Sequence, residues 1–310
     1  MRKSLLASAV AATMMAPMAQ AITLMETEES KVSMYGRIVL QVVTTDETSE
    51  IEDNGSRIGF NISHKIGNDM TAYGRAEFRF KADERTTNNV FSDLRNTFVG
   101  VKGNFGDVRV GNFDSVYYSL VTSVFDVPEQ SGYVTLDSGS RQSRGDTIAY
   151  MNSFGGLKVA VQAKHQPKDE AAGDSQKVSI AAAASYTMDI FTFGVGVNQD
   201  KEGMGTGNEV IGASVAVQAM DNLSVYGLFE TQDENKDVMA LGATFGYGKG
   251  DLYTQVAVEN FDADGVDDRV SYMLGANYKF SRKFYVFGEV FDTDEDGDNW
   301  EVTVGARLNF

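Results

Sequence analysis

A set of charged side chains falls on one face of segments that alternate apolar with polar residues: Arg37, Arg57, Arg75, Glu77, Arg79, Arg109, Lys279 and Arg307. Such groups do not make or break bonds by themselves. Facing water across a gap, opposed charges stay hydrated, set up a field and bias which ions pass. Residues for covalent chemistry are absent or misplaced. There is no Cys, which excludes a thiol nucleophile, a zinc ribbon and a disulfide framework. Of the two His, His64 falls on the apolar face of its segment, where a subunit contact could use it, and His165 at a segment end. Neither has the carboxylate and Ser pattern of a triad, and no Gly-x-Ser-x-Gly elbow is present. Gly194 and Gly196 sit inside a strand pattern with no helix after them, which suits a bend and not a phosphate loop. Asp292–Gly297 opens like an EF-hand loop, but its twelfth position is Thr303 and it runs into a strand. No metal centre, cofactor or catalytic residue is expected.

The elements that carry these charges have a period of two. Val32–Thr44 puts Val32, Met34, Ile38, Leu40 and Val42 on one face and Ser33, Tyr35, Arg37 and Gln41 on the other. Trp300–Phe310 sets Val302, Val304, Ala306 and Leu308 against Glu301, Thr303, Arg307 and Asn309. That is a strand signal. Sixteen such segments run from 32–44 to 300–310. Very short links such as Met188-Asp189 and Met220-Asp221 alternate with longer acidic ones such as 200–207 and 262–267. A strand with its link takes roughly 18 residues, room for the roughly 9–11 that a tilted spanning strand needs. One link is far longer, about residues 113–142. Loops of that size are uncommon and usually functional.

Composition narrows the class. With 44 acidic and 27 basic residues the formal net charge is −17, which argues against a nucleic-acid partner. Aromatics at 11% supply too much burial for a disordered chain. No run of 18 apolar residues exists, so a spanning helix is excluded. What remains is a soluble β protein or a membrane barrel, and alternation alone does not separate them. Aromatics near strand ends (Phe78/Phe80, Tyr278/Phe280, Phe284/Tyr285/Phe287), an uninterrupted meander and a last strand ending on Phe310 favour the barrel. Residues 1–21, with Arg2 and Lys3, an apolar stretch and Ala19-Gln20-Ala21, have the layout of a cleaved secretory signal peptide, leaving 22–310 as one barrel domain.

Several stretches in order carry a resemblance: Ser33-Met34-Tyr35-Gly36-Arg37, Gly55-Ser56-Arg57-Ile58-Gly59-Phe60, the run from Arg95 to Gly106, Val108-Arg109-Val110-Gly111, Asp126-Val127-Pro128-Glu129, and the closing stretch from Val304 to Phe310. In this order and spacing, residues 32–310 resemble the general diffusion porins of Gram-negative outer membranes, and are similar to their vibrio-type branch. The resemblance implies an all-β, sixteen-stranded antiparallel transmembrane β-barrel in the bacterial outer membrane. It also implies a homotrimer, and a long loop folded inward as a constriction. The function implied is passive diffusion of ions and small hydrophilic solutes, with no cofactor and no enzymatic activity. The acidic total suggests cation preference, although lumen charge and not net charge decides it.

The resemblance also assigns residues. Arg37, Arg57 and Arg95 occupy the basic wall of the constriction, and Arg141 and Arg144 bracket a fourth position. Asp126 and Glu129, flanking Pro128, take the acidic loop, with Asp114 and Asp137 as lesser candidates. Gln130-Ser131-Gly132 departs from the aromatic and two glycines usual after Pro-Glu. Residues 22–31, with Glu26, Glu28 and Glu29, precede the usual first strand, and are open to reading as a lumen-entering segment or a frayed tail. Acidic loops at 262–268 and 292–297 could bind divalent cations that bridge to lipopolysaccharide, although charge runs usually just stay in water. The alternative function is a substrate-specific channel for a sugar or organic acid, for which Tyr117, Tyr118, Phe125 and Tyr133 are the only aromatic hint. A barrel enzyme lacks its catalytic constellation, and an adhesive role for the loops can coexist with a pore.

Overall fold

The computed structural model describes residues 21–85, 91, 93–136, 142–166, 177–199, 208–295, 297 and 300–310. Strand β1 (Ile22–Glu26) turns into β2 (Ser30–Thr44), and β3 (Ser49–Asp53) folds back along the second half of β2. Next come β4 (Arg57–Gly67), β5 (Met70–Arg79), the two-residue β6 (Asp93–Leu94), β7 (Thr97–Gly103) and β8 (Gly106–Asp114). After the long loop follow β9 (Gln142–Phe154), β10 (Leu157–Gln166), β11 (Lys177–Met188), β12 (Phe191–Asn198) and β13 (Val210–Met220). The chain finishes with β14 (Leu223–Gln232), β15 (Lys236–Gly246), β16 (Asp251–Phe261), β17 (Arg269–Lys279), β18 (Phe284–Thr293) and β19 (Glu301–Asn309). Setting aside the short β1, β3 and β6, sixteen strands form the wall. Each pairs antiparallel with the next, and β19 pairs with β2 from Val302↔Thr44 to Asn309↔Arg37. The sheet is closed, so the wall has no open edge.

Alternation decides which way each side chain points. Val99, Leu241, Leu274 and Val304 are each about 60% exposed on the outside, as apolar residues are when lipid surrounds them. Tyr35, Gln41, Glu77, Gln255 and Glu289 are buried on the inside. Tight turns gather at one end of the barrel, and there Phe280 packs on Tyr278 and Phe284 with ring centres 4.9 and 5.5 Å apart. This outward aromatic cluster sits at a strand end, as a membrane interface favours.

Residues 22–26 neither enter the lumen nor fray. Strand β19 stops opposite Arg37, and Phe310 pairs with Gly36, which leaves the lower edge of β2 without a neighbour. The segment Ile22–Glu26 takes that edge, with Ile22 opposite Met34 and Glu26 opposite Lys31. An unpaired ladder edge is costly, and the alternating stretch before the Thr27–Ser30 turn fits it.

Candidate functional site

The chain leaves β8 at Asp114 and turns inward. Ser115 caps a short helix, α1 (Val116–Leu120), its hydroxyl accepting from the Tyr118 N–H at 2.9 Å. A 3-10 turn follows over Thr122–Phe125. Val116, Tyr117, Val121 and Phe125 are fully buried, and the cluster they form includes Ala160, Ala181, Ala183, Val210, Ala216 and Tyr226 of the wall. Burying each such large side chain contributes roughly 1.5–3 kcal/mol. The wall is made low to receive the loop. A Cβ on Gly194 would lie 2.3 Å from the Leu120 carbonyl oxygen, and one on Gly212 would lie 2.0 Å from the Tyr117 hydroxyl. These glycines are clearance and not bends. Residues 115–136 of the long loop therefore lie inside the barrel, and their first half is fixed to β9–β15.

Two wall carboxylates grip the loop at separate points. Glu230 of β14, fully buried, accepts from the Tyr117 hydroxyl and from the Leu136 N–H, both at 2.7 Å. Glu289 of β18 accepts the N–H groups of Glu129 at 2.7 Å and Gln130 at 2.9 Å, and the Tyr253 hydroxyl at 2.7 Å. Gln162 accepts the Val116 N–H at 2.8 Å, and Gln255 donates to the Phe125 carbonyl at 2.8 Å. Charged acceptors on backbone donors make the stronger class of hydrogen bond, about 1.5–3 kcal/mol each. Alternation places Glu230 and Glu289 on the inner face, but nothing in the sequence says that they hold a loop.

The tip carries the acid. Glu129 meets Arg307 of β19, whose Nη1 is 3.1 Å from both carboxylate oxygens, and accepts a short hydrogen bond from Tyr285. The side chains of Arg307 and Glu129 are 22% and 15% exposed. Glu129 thus joins an ion pair, contrary to the expectation that opposed charges stay separate and hydrated. Partial burial is the reason, because the pair loses less by closing where water is scarce. Alternation puts Arg307 on the polar face but does not assign it to the site. Asp126 is exposed and accepts from Tyr118.

On the wall the arginines fall into one row. Arg37 is the cross-strand partner of Arg57, and Arg57 of Arg79. Like charges in register repel, and acids offset them. Glu77, 2% exposed, lies 3.7 Å from Arg57 and 3.5 Å from Arg95, and takes the Tyr35 hydroxyl at 2.7 Å. Asp114 is 3.9 Å from Arg95, and Asp93 is 3.8 Å from Arg79. Arg37 is held by backbone, donating to the carbonyls of Gly55 at 3.0 Å and Asn54 at 3.2 Å. The 54–56 bend makes those carbonyls available. Asp53 accepts the N–H groups of Gly55 and Ser56 at 2.9 and 3.0 Å, and Gly55 supplies a φ of +72°. Asn54 in turn donates to the Glu129 carbonyl at 2.5 Å. The structure therefore brings Arg37 and Glu129 to one bend, and Arg57, Arg95 and Asp114 to the neighbourhood of Glu77.

Other assigned residues fare differently. Residues 1–20, Asp137 and Arg141 lie outside the described residues, and of Arg144 only the backbone, in β9, is described. Tyr117 and Phe125 pack against the wall and present no aromatic surface to a solute. His64 accompanies the Ser30 hydroxyl at 2.8 Å, and His165 lies 3.9 Å from Asp146.

Comparison with known proteins follows the same lines. The profile of the Gram-negative porin family matches residues 6–299. A "Monosaccharide porin" of Halomonas is 31% identical over 99% of this chain and 87% of its own length. The solved structure of Salmonella typhi OmpF with daunomycin aligns with a TM-score of 0.74 at 19% identity, covering 93% of this chain and all of that one. The trimer form of Vibrio cholerae OmpT aligns with a TM-score of 0.69 at 17% identity, covering 91% of this chain and all of that one. The chain belongs to the Gram-negative porin family, outer-membrane barrels that act as channels and not as enzymes.

Proposed function

We propose that this channel conducts ions and small hydrophilic solutes passively, with residues of about 113–142 narrowing the lumen and setting a mild cation preference. The observation that carries this reading is the loop tip: Glu129, anchored at Arg307 and Glu289, stands inside a barrel whose wall carries Arg37, Arg57, Arg79 and Arg95. Charges of both signs fixed around a wet passage make a transverse field that sorts ions and orders water. Within the site Glu77, Asp114, Asp126, Glu129 and Glu289 offset the arginines, and acidic residues of the loops at the mouth, such as Asp262, Asp264, Asp267 and Asp268, raise the local concentration of cations. The name of the Halomonas relative supports sugars among the solutes.

Three further readings belong to the same proposal. Residues 1–21 are removed on export. The barrel works as a homotrimer, an assembly that the trimeric OmpT form supports. Its outer surface meets lipopolysaccharide and other outer-membrane lipids. The test is single-channel conductance in a planar bilayer with a salt gradient across it. Expected are a large ohmic conductance, closure in three steps and a reversal potential on the cation side. An inserted barrel that does not conduct overturns the channel, single closing steps overturn the trimer, and a reversal potential on the anion side overturns the preference.

A further inference from the structure

A cavity of about 390 Å³ opens at the loop end of the barrel, between the returning half of the long loop and the inner wall. It is outside the arginine row and is not used by the ion pairs there. Two of its lining residues, Thr135 on the loop and Thr293 on β18, have hydroxyl oxygens that are buried and meet no hydrogen-bond partner among the described residues. Thr135 is only 6% exposed. Buried polar atoms are nearly always satisfied, so two orphans on residues that line one cavity mark a place where a small turn of each side chain lets something else supply the bonds. A hydroxyl both donates and accepts, and its best match is a group that does both.

The charges around the cavity define the class of that group. Glu259, 1% exposed, accepts from Arg269 at 2.6 Å and from Lys236 in a shorter bond. Arg269 also reaches Glu295 at 3.4 Å. Both cations are further fixed over the Phe261 ring, with Lys236 at 5.0 Å and Arg269 at 5.7 Å from its centre. Among the described lining residues two cations are thus matched by two carboxylates, with no formal net charge between them. An anionic solute would meet Glu295, whose side chain is half exposed, and a cationic one would meet Lys236 and Arg269. A neutral solute with adjacent hydroxyls meets neither penalty. It can donate to a carboxylate and accept from a guanidinium at once, while the Phe291 side chain supplies an apolar surface for its C–H face. The volume lies in the roughly 300–1,000 Å³ range of small-molecule pockets.

We propose that this cavity is a binding station for a neutral polyhydroxylated solute of monosaccharide size, occupied on the way from the outer mouth to the narrowest part of the channel. The proposal rests on the barrel being an open channel.

The experiment measures ion current through the purified channel in a planar bilayer while D-glucose is added to the loop side. Glucose should lower the current along a saturating curve, beyond the linear fall that solution viscosity causes. Thr135→Val and Thr293→Val should each raise the half-saturating concentration about five- to tenfold, as loss of one hydrogen bond does. Should a valine variant fail to insert, Glu295→Gln, at an exposed position, should weaken glucose in the same sense. A purely linear fall in current, or variants that saturate where the parent does, overturns the proposal while leaving the channel intact. Gluconate saturating at a lower concentration than glucose overturns the neutral class. A parent barrel that carries no current at all overturns the channel reading itself.

Discussion

The Nη1 of Arg307 lies 3.1 Å from both carboxylate oxygens of Glu129, a residue 178 positions earlier in the chain. This one contact ties the last strand of the barrel to the tip of the internal loop. It also ends the separation of charge expected at that point. The remaining field across the lumen comes from the arginine row and from the acids set against it, Glu77 foremost.

That arrangement makes two substitutions act in opposite directions. Glu129→Gln removes a carboxylate beside Arg307 and Arg37, and should move the reversal potential toward chloride in a potassium chloride gradient. Arg95→Gln removes a cation beside Glu77 and Asp114, and should move it toward potassium. Arg95 leaves a buried carboxylate less compensated, so this variant should also lose stability, up to roughly 3–5 kcal/mol. Shifts of the same sign in both variants would show that the lumen charge at this level does not set selectivity.

Much of this was legible in the sequence. A period of two fixed which side chains of β2 and β19 face inward, because alternation leaves only two choices per residue. The length of the link after β8 marked the loop, and Pro128 flanked by acids marked its tip. What alternation does not carry is distance across the barrel. Glu77 lies between Arg57 and Arg95 because of the register of β4 and β5 and because the link from β6 to β7 bonds to β5 at Glu77, and Arg307 reaches Glu129 because the loop crosses the lumen. Glu230 and Glu289 were equally out of reach, as the loop donors they accept include the backbone N–H groups of Leu136, Glu129 and Gln130, which no side-chain pattern advertises. The run Ala181–Ala184 followed by Gly194, Gly196 and Gly212 was a usable signal. Small residues on adjacent strands make a flat patch, and a flat patch inside a barrel leaves room for something to lie on it.

Glu289 should matter more for quietness than for charge. Its carboxylate holds the N–H groups of Glu129 and Gln130 and the Tyr253 hydroxyl. Glu289→Ala removes all three acceptor contacts and should free the loop tip, at about 1.5–3 kcal/mol per bond. Open-channel current noise should rise and the thermal transition should fall. Tyr253→Phe removes one contact of the three and should do correspondingly less. A Glu289→Ala channel as quiet and as heat-stable as its parent would mean that the apolar packing of α1 alone fixes the loop.

The packing itself is tested at Gly212. A Cβ there would sit 2.0 Å from the Tyr117 hydroxyl and 3.1 Å from its ring carbon, so Gly212→Ala must push the loop helix off the wall. Overpacking of this kind costs roughly 1–3 kcal/mol, and here it also breaks the bond from Tyr117 to Glu230. Tyr117→Phe alone should destabilise as well, because it leaves Glu230 with one donor fewer. Combined, the two should be better than additive, since the phenylalanine removes the atom nearest the new methyl group. Thermal unfolding of the parent, the two single variants and the double variant closes the cycle. A favourable coupling would locate the strain at the Tyr117 hydroxyl. Simple additivity would mean that the loop helix shifts as a body, and that the glycine is needed for the whole helix and not for one side chain.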